Sequence, residues 1–177
     1  PLASHHSLIG GGVMTLTVET GAIVTGANSY VSRADAIAYA SDRGVALADS
    51  AATDAILIKA ASYLESYRNK FKGELVSRDQ PLAWPRYSAV IEGFAWGHDE
   101  IPRQVINAQL AVLLEINAGD DPFNPTPVVG PVTEETVAGA VTVRYASGTS
   151  SKVKKTRASD AIIALMLSRS GLMAVRA

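Results

Sequence analysis

The sequence predicts a mainly α-helical fold: a small bundle of about four helices with a minor β-hairpin and extended N- and C-terminal arms. Three observations predict it. Several segments repeat apolar residues every three to four positions, as one face of a helix requires. Two later segments flank Ala138-Gly139, and the second alternates apolar and polar residues, as in a hairpin. The 177 residues are enough for one hydrophobic core.

The N-terminal part divides into an arm and a first helix. Residues 1–13 have no periodicity and end in three glycines, so we expect a flexible extension. In the stretch 15–23 apolar and polar residues alternate only in part, which predicts a short extended segment before the first helix. A helix is predicted from Arg33 to Arg43, since Ser32 is a suitable N-cap and Asp35 complements the helix dipole.

The second helix has the clearest periodicity in the chain. Asp49-Ser50 offers its cap, and it is predicted to end near residues 69–73. Its apolar stripe consists of Ile56, Ala60, Tyr63, Leu64 and Tyr67. Its opposite face is predicted to be solvated and carries Asp54, Lys59, Ser62 and Ser66.

A long connection and a third helix follow. The connection, residues 73–102, holds both tryptophans, and Trp84 next to Pro85 is expected to anchor it. The third helix is predicted from Ile101 to residues 117–119, with Pro102 in its first turn. It is apolar on two sides, so it is either the core helix or a subunit-interface helix. The residues concerned are Val105, Ile106, Leu110, Val112 and Leu113.

The C-terminal third is predicted to hold a proline-rich strap, a hairpin and a last helix. The hairpin strands are expected at 132–137 and 140–145, within a core unit spanning residues 14–150. Residues 151–177 are predicted to form a basic linker and a docking helix at about 159–167, whose apolar side chains need a partner's cover. This docking arm consists of Lys152, Lys154, Lys155, Arg157, Ile162, Ile163, Leu165, Met166 and Leu167.

The composition argues against catalysis. The chain has no cysteine and three histidines, and His98 is the one histidine outside the N-terminal tail. No nucleophile and base stand in a recognisable arrangement. We therefore expect no enzyme activity, no catalytic residue, no cofactor and no metal site. No apolar run approaches the ~20 residues of a membrane span, so no membrane partner is expected.

The charge balance favours assembly and leaves one nucleic-acid hypothesis open. A net charge of -1 provides no long-range attraction for duplex DNA and little protection against self-association. Aromatic residues between positions 63 and 87, however, are interleaved with cations as in single-strand binding surfaces, and residues 68–86 hold five Lys or Arg against two acids. The interleaved residues are Tyr63, Tyr67, Arg68, Lys70, Phe71, Lys72, Trp84, Arg86 and Tyr87. Trp84, Arg86 and Tyr87 are therefore either loop anchors or DNA contacts.

Several strings, read in order, resemble a known family. They are Tyr-Val-Ser at 30–32, IKAASYL at 58–64, FKG at 71–73, QPLAWPR at 80–86, Ile-Pro at 101–102 and VTVRY at 141–145. This pattern resembles the head-tail connector, or adaptor, proteins of tailed phages, which are often described as DnaT-like single-stranded-DNA-binding proteins.

The resemblance implies a structural protein of the virion. Such a protein would form a twelve-fold ring that joins the portal protein to the tail or tail-terminator protein. Phage DNA would pass through its channel without sequence-specific contact. It would be located at the virion neck, and in the host cytoplasm during assembly. The alternative is a DnaT-like single-stranded-DNA-binding accessory of replication.

Overall fold

The computed structural model describes residues 15–123, 134–137, 141–144 and 157–168. These residues form four α-helices and three two-stranded antiparallel sheets. The helices are α1 (Arg33–Ser41), α2 (Ala51–Glu65), α3 (Arg103–Asn117) and α4 (Ala158–Met166), with a 3-10 turn at Arg68–Lys70. The strand pairs are β1 (Glu74–Leu75) with β2 (Arg86–Tyr87), β3 (Val90–Ile91) with β4 (Phe94–Ala95), and β5 (Glu134–Val137) with β6 (Val141–Arg144). The predicted mainly α fold with a minor hairpin is confirmed.

The first two helices begin at their predicted caps, but one predicted face is wrong. The Ser32 side chain accepts a hydrogen bond from the Asp35 backbone N–H at 3.1 Å and so caps α1. Asp54 was expected on the solvated face of α2, yet it is buried and accepts a bond from Arg33 Nε at 2.9 Å. The cation on α1 compensates the buried carboxylate, which the periodicity of α2 alone does not reveal.

Helix α3 is the central helix of the described part of the chain. It contacts α1, α2 and α4, and its core residues include Val105, Leu110, Val112 and Leu113, with Ile106 partly buried against them. Of the two predicted roles, the core role is the one observed. The sequence analysis missed Gln109, whose buried amide accepts from the Tyr30 N–H and donates to the Leu57 carbonyl at 2.8 and 2.9 Å.

Helix α4 is not an exposed arm. Ile163 and Met166 lie in the core, and the Ser159 hydroxyl donates to Glu115 on α3 at 2.7 Å. The Ser168 N–H donates to the Lys70 carbonyl at 2.7 Å, so the end of the helix is also fastened. The apolar residues that were expected to need a partner are largely covered by the chain itself. The amphipathic pattern was read correctly, but it does not say against what a helix packs.

Several predicted segments lie outside the described residues. They are the extension 1–13, the strap after Phe123, and the cations Lys152, Lys154 and Lys155.

The long connection between α2 and α3 contains two small hairpins that the sequence analysis did not predict. In the second, Glu92 and Gly93 both have positive φ, 53° and 87°, and form the turn between β3 and β4. Strands of two residues are too short to show an alternating pattern.

Among the described helices, none is long and apolar enough to span a bilayer.

Candidate nucleic-acid interface

Two of the three loop residues predicted as anchors or DNA contacts lie inside the protein. Trp84 is 1% exposed, and its ring centroid lies 5.9 Å from that of Phe71. The buried Arg86 guanidinium donates to the backbone carbonyls of Lys72 and Gly73 at 2.9 and 2.8 Å. Burial lowers the pKa of Arg86, and the nearby Arg68 charge lowers it further. Neither Trp84 nor Arg86 is accessible to a DNA strand.

A half-buried carboxylate, that of Glu65, holds this loop on the helices. Glu65 Oε1 accepts from the Tyr30 hydroxyl at 2.9 Å and from the Ala83 N–H at 2.7 Å. The Trp84 backbone N–H in turn donates to the Tyr30 hydroxyl at 3.2 Å. Arg68 pairs with the second Glu65 oxygen at 3.1 Å. The loop that carries the QPLAWPR string is therefore positioned by α2 and by the segment before α1.

A row of three rings and one cation lies at the C-terminal end of α2 and the turn that follows it. We call Phe123, Tyr63, Tyr67 and Lys70 the aromatic lane. Tyr63 makes edge contacts with Phe123 and Tyr67 at centroid distances of 5.7 and 5.5 Å. Lys70 Nζ lies 5.7 Å from the Tyr67 ring centroid. Phe123 is 53% exposed, Tyr67 is partly exposed, and Tyr63 is almost covered between them.

Two of these rings are neighbours because the helical turn continues past the end of α2, where the Tyr67 N–H donates to the Leu64 carbonyl at 2.9 Å. Tyr63 and Tyr67 are four residues apart, so they stand about one helical turn from each other. Their hydroxyl oxygens are 3.0 Å apart, and the Tyr63 hydroxyl also donates to Asp160 on α4 at 3.4 Å. Burial and the bond to Tyr67 raise the pKa of Tyr63, so this hydroxyl stays neutral at physiological pH.

Cations stand at both ends of the lane. Lys70 is exposed at one end, and Lys59 pairs with Asp121 near the other at 2.8 Å. Arg157 pairs with Asp120 at 3.3 Å and is much more buried. The bond to Asp120 raises the pKa of Arg157. A planar base could contact the exposed rings while its flanking phosphates approach the lysines.

A second exposed aromatic surface is formed by β2, β3 and β4. Tyr87 stacks on His98 at 4.9 Å between centroids, and Phe94 is 73% exposed. Residues 87–103, however, carry three acids and a single cation, and all three acids, Glu92, Asp99 and Glu100, are exposed. This hairpin surface would repel phosphate, so it is a poor match for a nucleic acid.

Sequence reasoning found part of the lane. Tyr63, Tyr67 and Lys70 belong to the interleaved aromatic and basic stretch. Lys59 was expected merely to be solvated, and Phe123 was missed because it lies 60 positions after Tyr63 and follows α3. Only the packing of α3 on α2 brings Phe123 to the lane. In the described parts of the chain, no three His, Cys, Asp or Glu residues are grouped as a metal site.

The comparisons with known proteins give one family. A family model described as "Putative DnaT-like ssDNA binding protein" matches residues 14–177. The search of curated proteins and the search of solved structures each gave no match.

This match corrects the resemblance drawn from the ordered strings. The matching family is described as one of putative DnaT-like ssDNA binding proteins and not as one of head-tail connectors, so the assignment to that connector family is wrong. The other predictions that rested on this assignment are not supported either. They are the portal and tail partners, the twelve-fold ring, the DNA channel and the virion role. The resemblance depended most on the QPLAWPR string, and the structure explains why that string misled: it forms a buried anchor of the loop. It specifies how the chain packs and does not identify an assembly partner.

Proposed function

The chain belongs to the family of putative DnaT-like ssDNA binding proteins, and we propose that it binds single-stranded DNA without strong sequence preference. Stacking on aromatic rings tolerates every base, because each base has a π-face. The protein would act as a non-catalytic accessory wherever single strands are exposed, as in replication. With no cysteine and three histidines, the chain has few of the side chains that commonly serve as nucleophile or base.

One observation carries this proposal at the level of residues. In the aromatic lane, two accessible rings, Phe123 and Tyr67, adjoin an exposed cation whose Nζ lies 5.7 Å from the Tyr67 ring. Single-strand sites combine such rings with cations along the backbone path. The hairpin surface has comparable rings but an acidic surround, so electrostatics favours the lane.

The test is fluorescence anisotropy of a labelled thymine oligonucleotide. We expect Phe123→Leu and Tyr67→Leu each to weaken binding by roughly 5- to 100-fold, since loss of one base–ring stack costs about 1–3 kcal/mol. Leucine keeps apolar volume at each position and removes the π-face. The logarithm of the binding constant should fall with the logarithm of salt concentration, with a slope of about -1.4 for two phosphate contacts, one at each lysine.

Phe94→Leu is the matched control, because Phe94 is more exposed than Phe123 but lies on the acidic hairpin surface. We expect this variant to bind as the wild type does. Thermal unfolding of all variants separates loss of the ring from loss of the fold. Wild-type protein that fails to bind the oligonucleotide, or binds it without salt dependence, would contradict the proposed function.

Trp84→Ala and Arg86→Ala are unsuitable as tests of DNA contact. Both side chains are buried, so their removal would weaken binding indirectly through the fold.

A further inference from the structure

The aromatic lane has a carboxylate competitor at one end. Asp121 Oδ2 holds Lys59 Nζ at 2.8 Å, and the two residues are 62 positions apart in the sequence. Lys59 lies one turn before Tyr63 on α2, a rise of about 6 Å, so its ammonium group stands at the Phe123 end of the lane. Asp121 precedes Phe123 by two residues and accepts the Phe123 N–H through Oδ1 at 3.0 Å.

The exposure of this ion pair determines whether it can be exchanged. The Lys59 and Asp121 side chains are 41% and 35% exposed, so water screens their attraction and little free energy is lost when they separate. The neighbouring Arg157 and Asp120 are only 11% and 17% exposed, so separating these two charges costs more free energy because little solvent reaches them. Lys59 is therefore the exchangeable cation, while Arg157 stays with Asp120.

We infer that a DNA phosphate and the Asp121 carboxylate compete for Lys59. The single strand then runs along the whole lane, from Lys70 past Tyr67 and Phe123 to Lys59, and its phosphate oxygens accept from the ammonium group that Asp121 releases. This inference rests on the proposed function and adds the path of the strand and a built-in competitor. Asp121 lowers the affinity for DNA while it orders the lysine in the free protein.

The test is a double-mutant cycle with Asp121→Asn and Lys59→Met, measured with the same thymine oligonucleotide. Asparagine retains the oxygen that accepts the Phe123 N–H, and methionine retains the apolar stem of the lysine. We expect Asp121→Asn alone to tighten binding roughly two- to fivefold, the range of a surface ion pair. In the Lys59→Met background the same substitution should have no effect beyond the control described next.

Asp42→Asn is the matched control, since it changes net charge equally at the exposed end of α1. It should tighten binding far less than Asp121→Asn. Equal tightening by both, or a full effect of Asp121→Asn without Lys59, would overturn the competition and leave single-strand binding standing. A wild-type protein that does not bind the oligonucleotide would overturn both proposals.

Discussion

Glu65 shows how single residues connect distant parts of this chain. One of its oxygens accepts from the Tyr30 hydroxyl and from the Ala83 N–H, and the other pairs with Arg68. Burial is the main cause that raises the pKa of Tyr30 well above its ordinary value, and the Glu65 charge adds to it. The neutral phenol is thus the form that the folded protein requires.

This requirement predicts a dependence of stability on alkaline pH. A pKa that folding raises stabilises the protein fully below the unfolded value, about 10 for tyrosine, and the contribution is lost as pH rises above it. Tyr30→Phe should lower the free energy of unfolding by about 1–2 kcal/mol at pH 8, because it removes two hydrogen bonds of the Tyr30 hydroxyl, one of them buried. The difference between the two proteins should shrink as pH rises above about 10.

Denaturant unfolding at several pH values measures this difference. Comparison with Tyr30→Phe cancels the titration of lysines and of the other tyrosines, which both proteins share. A difference that stays constant from pH 8 to 11 would contradict the assigned role of Tyr30.

At the scale of elements, Gly73 sets how closely β1 and β2 can approach. It has φ +76°, and a Cβ placed there would lie 2.3 Å from the Tyr87 carbonyl oxygen. Gly44 has a similar φ of +71°, but a Cβ there would meet nothing within 4 Å. The two positions therefore separate backbone strain from steric contact.

We expect Gly73→Ala to cost clearly more stability than Gly44→Ala. Both substitutions incur the left-handed strain, of about 1 kcal/mol, while only Gly73→Ala also forces apart the backbones of the segment before β1 and of β2. Thermal unfolding of the two variants measures the difference. Equal losses would show that the close approach at Gly73 relaxes without cost.

The elements also show where sequence reasoning stops. Helices α1, α3 and α4 were predicted to within about two residues at each end, because helical periodicity and caps such as Ser32 are local signals. Helix α2 was expected to continue to residues 69–73, but it ends at Glu65 and a separate 3-10 turn follows at Arg68–Lys70. The predicted packing partner of α4 was wrong, because the amphipathic pattern of Ile163 and Met166 predicts a buried face but not the surface that covers it. The lane needs Phe123 beside Tyr63, and that contact depends on tertiary packing for which the sequence carries no local signal.

At the scale of the whole molecule, α4 belongs to the same core as α3. Ile163 is 1% exposed, whereas Leu165, two residues later, is 41% exposed. We expect Ile163→Ala to lower the free energy of unfolding by about 2–5 kcal/mol and Leu165→Ala by much less. If α4 were an independent docking arm, neither variant would change the main unfolding transition.

The wild-type protein should unfold in one cooperative step that includes α4, as small single domains usually do. Circular dichroism at a helix wavelength and tryptophan emission should give coincident transitions. Separate midpoints would contradict the single core.

The position of the two tryptophans has a practical consequence for spectroscopy. The indole of Trp84 is enclosed in the core, and its Nε1 has no hydrogen-bond partner among the described residues. Neither Trp84 nor Trp96 is part of the aromatic lane. Intrinsic tryptophan fluorescence should therefore be blue-shifted in the native protein and insensitive to bound oligonucleotide. One sample can then report folding through tryptophan fluorescence and DNA binding through the anisotropy of the labelled strand.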